Sequence, residues 1–169
     1  MTALDRSVDG LESSLTIVER PPSVYLFPGQ IYTSAEPSMV TTILGSCVAV
    51  CLWDSQVSLA GINHFLLPSN PLRGSVDARY GNTAMERLLE AMLERGASTR
   101  RLIAKIVGGA CVLDGFSNGR RSIGEQNVLL AREFLHEIDI TVAADQTGGR
   151  RGRKLLFHTG NGSAYVKEI

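Results

Sequence analysis

No stretch of about 18 consecutive apolar residues runs through this chain, so it offers no candidate membrane-spanning helix. Neither sign of charge is in excess: Lys plus Arg and Asp plus Glu number 17 each, which removes the global field that draws a basic module to nucleic acid or an anionic membrane. No Cys-x-x-Cys pair occurs among Cys47, Cys51 and Cys111, and their spacing fits no disulfide framework. No secretory signal peptide is visible either, so the expectation is a cytoplasmic protein in a reducing compartment, which suits a free thiol. Gly108-Gly109 is not followed by a Gly-x4-Gly-Lys-Ser/Thr loop, and no acidic ribose ligand is placed for a dinucleotide, so no nucleotide or other cofactor is expected.

What is present fits one globular domain. At 169 residues and 44% hydrophobic, the chain can bury a substantial core. Residues 1–23, with Ser, Asp, Glu and a Pro21-Pro22 pair but little periodicity, read as a flexible leader, and residues 24–169 as a single domain. Positive charge gathers only locally, at Arg120-Arg121 and Arg150-Arg151-Gly152-Arg153-Lys154, where it is either a solvated loop or a face for an acidic partner.

The informative segment is two β-branched, apolar runs, 47–53 and 58–66, flanking Asp54-Ser55-Gln56-Val57. They read as a β-hairpin. If Ser55 and Gln56 form the loop, Cys47 and His64 fall directly opposite each other on one face, with Cβ atoms about 4.5–5.5 Å apart. At that range an imidazole can take a thiol proton, or hold a thiolate as an ion pair, and the thiolate is the nucleophile. Gly45-Ser46 breaks the strand just ahead of Cys47 and could aim successive N–H groups at a developing oxyanion. Thr41 and Thr42 lie upstream, where a hydroxyl could fix the imidazole tautomer as the third member of a triad does. The competing reading is that cysteine and histidine are simply core residues of an apolar hairpin. Zinc is the other rival, with Cys47, Cys51 and His64 as ligands. On one strand, however, positions 47 and 51 are about 13 Å apart, too far for one tetrahedral ion, so no metal is expected.

Around the hairpin, periodicity supplies a layered arrangement. Val24–Phe27 and Gln30–Thr33 read as short strands, and Asn82 or Thr83 as the cap of a helix reaching about Arg95, with Met85 and Met92 in its core stripe. Leu102–Val107 reads as a strand, Ser122-x-x-Glu125 as a capping box opening a helix to about Glu137, and 139–144, 153–158 and 164–169 as strands. Because both faces of the hairpin are apolar, it needs cover on both sides. The fold class is therefore mixed α and β.

Several ordered motifs carry a resemblance. Thr41 and Cys47 in the context Leu-Gly-Ser-Cys-Val-Ala-Val-Cys, then Asn63-His64-Phe65-Leu66-Leu67-Pro68, Arg79-Tyr80-Gly81-Asn82-Thr83-Ala84-Met85, Ala104 to Ala110, Ser122 to Asn127 and Asp145-x-Thr147-Gly148-Gly149 together resemble the CheD family of chemoreceptor glutamine deamidases. The resemblance implies an αββα arrangement, two packed, mainly antiparallel or mixed sheets with helices outside, of the CheD-like cysteine hydrolase type. It implies Cys47 as nucleophile, His64 as general base and acid, and Thr41 as the residue orienting the histidine, with Thr42 the adjacent alternative. Gly45 and Ser46 would position the oxyanion.

The implied reaction is hydrolysis of glutamine side chains to glutamate, with loss of ammonia, on the cytoplasmic helices of methyl-accepting chemotaxis receptors. A CheC-type phosphatase is an implied further partner, with Leu113 and Phe116 on a variable loop as candidate anchors. From a different class, a non-catalytic adaptor that keeps the fold and binds receptor or phosphatase would carry the same motifs. A transglutaminase or methylesterase variant of the thioester chemistry also stays open.

Overall fold

The computed structural model describes residues 19–72, 74–111 and 119–169. In chain order the elements are β1 (Ser23–Tyr25), β2 (Ile31–Ser34), β3 (Met39–Leu44), β4 (Val48–Asp54), β5 (Leu59–Asn63), α1 (Gly81–Glu94), β6 (Ile103–Gly108), α2 (Ile123–Glu137), β7 (Thr141–Thr147), β8 (Arg153–His158) and β9 (Ser163–Glu168). They form a five-stranded sheet, β2-β5-β4-β6-β7, and a four-stranded sheet, β1-β3-β8-β9. The β1–β3 and β6–β7 pairs are parallel and the rest antiparallel.

β4 is the centre of the fold because its sequence, Val-Ala-Val-Cys-Leu-Trp, is apolar at both parities, and a strand of that kind is stable only when covered on both faces. One face, Val48, Val50 and Leu52, packs with Leu59, Phe65, Met85, Leu88, Met92, Ala131 and Leu135 beneath the helices. The other, Ala49 and Cys51, packs with Ala60 and Ile62 against Val40, Leu44, Leu155 and Phe157 of the four-stranded sheet. Two separate cores thus sit on either side of one sheet.

The mixed α+β class is as read from the residues, and the two packed sheets are as the family resemblance implies. The helical layers differ: both described helices lie on the five-stranded sheet, through contacts to β2, β4, β5, β6 and β7. Among the described residues no helix covers the outer face of the four-stranded sheet, where Tyr25, Ile43 and Tyr165 are exposed. The described layering is therefore helix, sheet, sheet.

The capping box of α2 is present, Ser122 Oγ accepting from Glu125 N at 3.1 Å and Glu125 accepting from Ser122 N at 2.7 Å. α1 departs from expectation. Its N-cap is Tyr80, which makes no side-chain cap; Asn82 instead accepts from Asn70 N, and Thr83 is buried. Helix α1 reaches its sheet because Gly61 has no side chain: a Cβ there would stand 2.7 Å from Met92 Sδ.

The hairpin register also differs from expectation. β4 pairs with β5 as Cys51 with Ile62 and Asp54 with Leu59, so the loop is the four residues Ser55 to Ser58. Asp54 Oδ1 accepts from Gln56 N, Ser58 adopts a left-handed φ of 49°, and Val57 stands exposed at the turn. Asp54 itself is buried and anchored by Arg101, at 2.9 Å, and by Ser98 N, which fixes this end of the sheet. The shift against the expected register is two residues, and because side chains alternate with period two, every residue keeps its face.

Candidate active site

The β4–β5 ladder ends at a bridge between Val48 and Phe65, which exchange two hydrogen bonds of 3.1 and 3.0 Å. Continuing this register by one residue places Leu66, not His64, opposite Cys47. Cys47 and His64 are therefore diagonal neighbours on one face, at a Cβ separation of roughly 7 Å rather than directly opposed. That separation is still within reach of an imidazole and a thiol. Cys47 is half-buried and packs against the core between the sheets, and His64 is 2% exposed.

His64 is held from three sides. Its backbone is bracketed by the Pro28-Gly29 turn, Gly29 N donating to His64 O at 2.7 Å and His64 N to Gln30 O at 3.1 Å. Its ring Nδ1 lies 2.8 Å from Thr42 Oγ1. Thr42, fully buried on β3, spends its own proton on Leu26 O at 2.7 Å, so its oxygen can only accept from the ring. Nδ1 then carries the proton and Nε2 is the basic nitrogen. Nε2 is buried and has no hydrogen-bond partner among the described residues.

Thr41, expected to orient the histidine, does not. Along β3 successive side chains alternate; Val40, Thr42 and Leu44 face the other sheet, whereas Thr41 is half-exposed and pairs in register with Tyr25 and Leu156. The orienting hydroxyl belongs to its neighbour Thr42. Sequence named both residues, but only the sheet to which β3 belongs decides which one faces inward.

Burial sets the protonation states. It pushes His64 down to about 4, the Leu26 carbonyl pulling the other way. It pushes the Cys47 thiol up, partly offset by that residue's own N–H. Near neutrality the pair thus rests as thiol and neutral imidazole rather than as an ion pair, an arrangement suited to general-base activation.

Gly45 and Ser46 form the turn between β3 and β4, and its carbonyls are all taken. Ala110 N donates to Gly45 O at 2.8 Å, Asn127 Nδ2 to Ser46 O at 3.0 Å, and Gly109 N to Cys47 O at 2.8 Å. The turn can approach so closely because Gly108, at φ 115°, has no Cβ to collide with the Cys47 carbonyl. A trans peptide points its N–H opposite its C=O, so the N–H groups of Ser46 and Cys47 face away from these donors. Gly45 and Ser46 immediately precede the thiol, in the turn these hydrogen bonds hold. Asn127 was legible only as part of a helix-start motif, with nothing in its spacing to show that it reaches this turn.

Leu113 and Phe116 lie outside the described residues. Among the described residues no group of three metal-binding side chains gathers, and no helix is long and apolar enough to cross a membrane. Cys51 is buried on the sheet-facing side of β4, well along the strand from Cys47.

A mixed α+β protein with a half-buried thiol, a buried neutral imidazole on the same sheet face and a threonine fixing that imidazole has the parts of a cysteine-dependent acyl-transfer site. A family model described as CheD chemotactic sensory transduction matches residues 66–168. A probable chemoreceptor glutamine deamidase CheD 1 of Anaeromyxobacter dehalogenans is 47% identical over 146 residues, 86% of this chain and 84% of its own, an overlap too long to leave the hairpin outside it. Proteins named probable chemoreceptor glutamine deamidase CheD from Rhodospirillum rubrum and Trichlorobacter lovleyi are 44% and 47% identical, covering 90% and 82% of this chain and 86% and 85% of theirs. The chain belongs to the CheD family.

Proposed function

We propose that this protein is a chemoreceptor glutamine deamidase, a hydrolase that converts receptor glutamine side chains to glutamate and ammonia. The observation that carries the reading is the imidazole: a buried, neutral His64 with Nδ1 committed to Thr42 and Nε2 unpartnered, on the face it shares with Cys47. A core histidine would be expected to satisfy both nitrogens.

In the proposed mechanism Cys47 Sγ attacks the side-chain amide carbon as His64 Nε2 takes the thiol proton. The N–H groups of Ser46 and Cys47 stabilise the tetrahedral oxyanion. The imidazolium gives its proton to the departing nitrogen, ammonia leaves, and a thioester remains. Water then attacks the thioester, His64 again taking a proton, and glutamate is released with the thiol restored. The Thr42 hydroxyl holds the ring in the required tautomer throughout.

The substrate partner is the cytoplasmic helical region of a methyl-accepting chemotaxis receptor, which places the proposed enzyme in the cytoplasm. Selection of a particular glutamine rests on surface complementarity, since the side chain itself is common. A CheC-type phosphatase is proposed as a second partner on the family resemblance.

The test is mass spectrometry with ammonia release on receptor cytoplasmic fragments, incubated with the parent, Cys47→Ala or His64→Ala. Conversion of glutamine to glutamate by the parent alone is expected. Receptor binding by all three proteins without conversion by any would instead establish the adaptor.

A further inference from the structure

The described residues contain two buried side-chain polar atoms without a hydrogen-bond partner: His64 Nε2 and Asn127 Oδ1. The first is the proposed base. The second belongs to a residue of α2, far away in sequence, whose other amide atom is fully engaged at the same place. Asn127 is completely buried, and its Nδ2 donates to Ser46 O at 3.0 Å and to Leu66 O at 2.8 Å. Both partners are carbonyl oxygens, which only a donor satisfies, so the orientation of the amide is fixed.

The position of these two carbonyls is the point. The β4–β5 ladder stops at Val48 and Phe65. Immediately beyond it the chain must hold Cys47 beside the His64 strand, and there one side chain bridges the residue before Cys47 and the second residue after His64. Helix α2 comes close enough because Gly124, three residues earlier, lies against the strand-end loop: a Cβ there would stand 2.6 Å from Gly109 O and 2.7 Å from Ala110 O. That same loop holds the Gly45 and Cys47 carbonyls.

We infer that Asn127 is a positioning residue for the deamidation, one that ties the Ser46–Cys47 peptide to α2 and so aims the Cys47 N–H at the oxyanion. The peptide joining Ser46 to Cys47 is planar and trans, so tying its carbonyl to α2 turns its N–H the opposite way. An apolar side chain would fill the same space and remove the unpaired Oδ1, but it would leave the Ser46 and Leu66 carbonyls without this donor and free the peptide to rotate. Ala110 N does the same for the peptide whose N–H belongs to Ser46, so the two candidate oxyanion donors are set by two different anchors on one side of the turn. The inference rests on the deamidase reading.

The experiment compares the full-length parent with Asn127→Asp, an isostere without the donor, and Asn127→Leu. Turnover and KM on the receptor fragment are measured alongside the rate of iodoacetamide alkylation at Cys47, followed by mass spectrometry. Alkylation needs the Cys47 thiolate but forms no oxyanion. The expected result is a fall in kcat of about tenfold to a hundredfold, with KM and the Cys47 alkylation rate each within about twofold. Turnover is expressed per Cys47 alkylated at the parental rate, so that misfolded molecules do not enter the comparison. Parental kcat in both variants would overturn the inference, as would alkylation falling in step with kcat, which marks general loss of the site. A parent that alkylates normally but converts no glutamine would overturn the deamidase reading instead.

Discussion

Thr42 Oγ1 accepts from His64 Nδ1 at 2.8 Å while donating to the Leu26 carbonyl at 2.7 Å, so a strand of one sheet fixes the tautomer of a histidine in the other. The two sheets are thus joined at the site by a polar chain as well as by the apolar core between them. Removing the hydroxyl takes from both the ring N–H and the Leu26 carbonyl the partner that joins them, at a cost of about 1–3 kcal/mol. Thr42→Val is expected to lower turnover by on the order of tenfold to a hundredfold, and Thr42→Ser to retain most of it. Thr41→Val, altering the opposite face of β3, should stay within about twofold of the parent. Steady-state deamidation by the three variants checks this; equal losses from Thr41→Val and Thr42→Val would show that the hydroxyl facing the ring is not what matters.

The resting charge state predicts a pH signature. With Cys47 raised and His64 lowered to about 4, no thiolate and imidazolium pair persists near neutrality. Alkylation of Cys47 by iodoacetamide should therefore climb about tenfold per pH unit from pH 5 to pH 8. A plateau across that range would reveal a preformed ion pair and reverse the assignment.

The same imidazole should make stability depend on pH. In the folded protein His64 titrates at about 4, whereas in the unfolded chain it returns to 6.5. Between these values the unfolded state binds more protons, so stability rises with pH through the window. The contribution is fully present above about pH 6.5, is lost as pH falls toward 4, and changes no further below. Its size is at most about 3 kcal/mol. Urea unfolding at pH 7.5, 5.5 and 4.5 should show this loss in the parent and a smaller one in His64→Gln. Identical slopes for the two proteins would rule His64 out as the source.

Gly108 tests the packing behind the nucleophile. A side chain there must adopt φ 115° and collide with the Cys47 carbonyl. Gly108→Ala is expected to destabilise the fold by about 3 kcal/mol or more. Turnover should fall as well, because the turn carrying Cys47 must move. Gly96→Ala, also at positive φ but with no atom within 4 Å of its Cβ, should cost only the backbone strain and leave turnover unchanged. Chemical denaturation of both variants separates the two effects; comparable midpoints would show that the carbonyl contact can relax.

Much of the architecture was legible because it rests on local chemistry. The capping box Ser122–Glu125 is a short-range exchange of hydrogen bonds, and α2 begins where it is written. The two-sided apolar character of Val48–Trp53 announces a central strand, and period-two alternation put Cys47 and His64 on one face even though the loop proved two residues longer than expected. The α1 cap failed for the converse reason: Asn82 had the right chemistry for a cap but is occupied by a tertiary partner, Asn70 N.

Sequence by itself therefore determined the chemical inventory: a thiol and an imidazole on one sheet face, a Gly-Ser break ahead of the thiol, two threonines upstream and a core able to bury them. Tertiary structure decided which of those groups meet. β3 leaves the hairpin's sheet for the other one, and that crossover alone turns Thr42 rather than Thr41 toward His64. Asn127 reaches Ser46 and Leu66 only because α2 docks against the end of β6. Spacing along a chain fixes the direction of a side chain within its own element, whereas contact between elements depends on how their apolar faces pack, which no local pattern specifies.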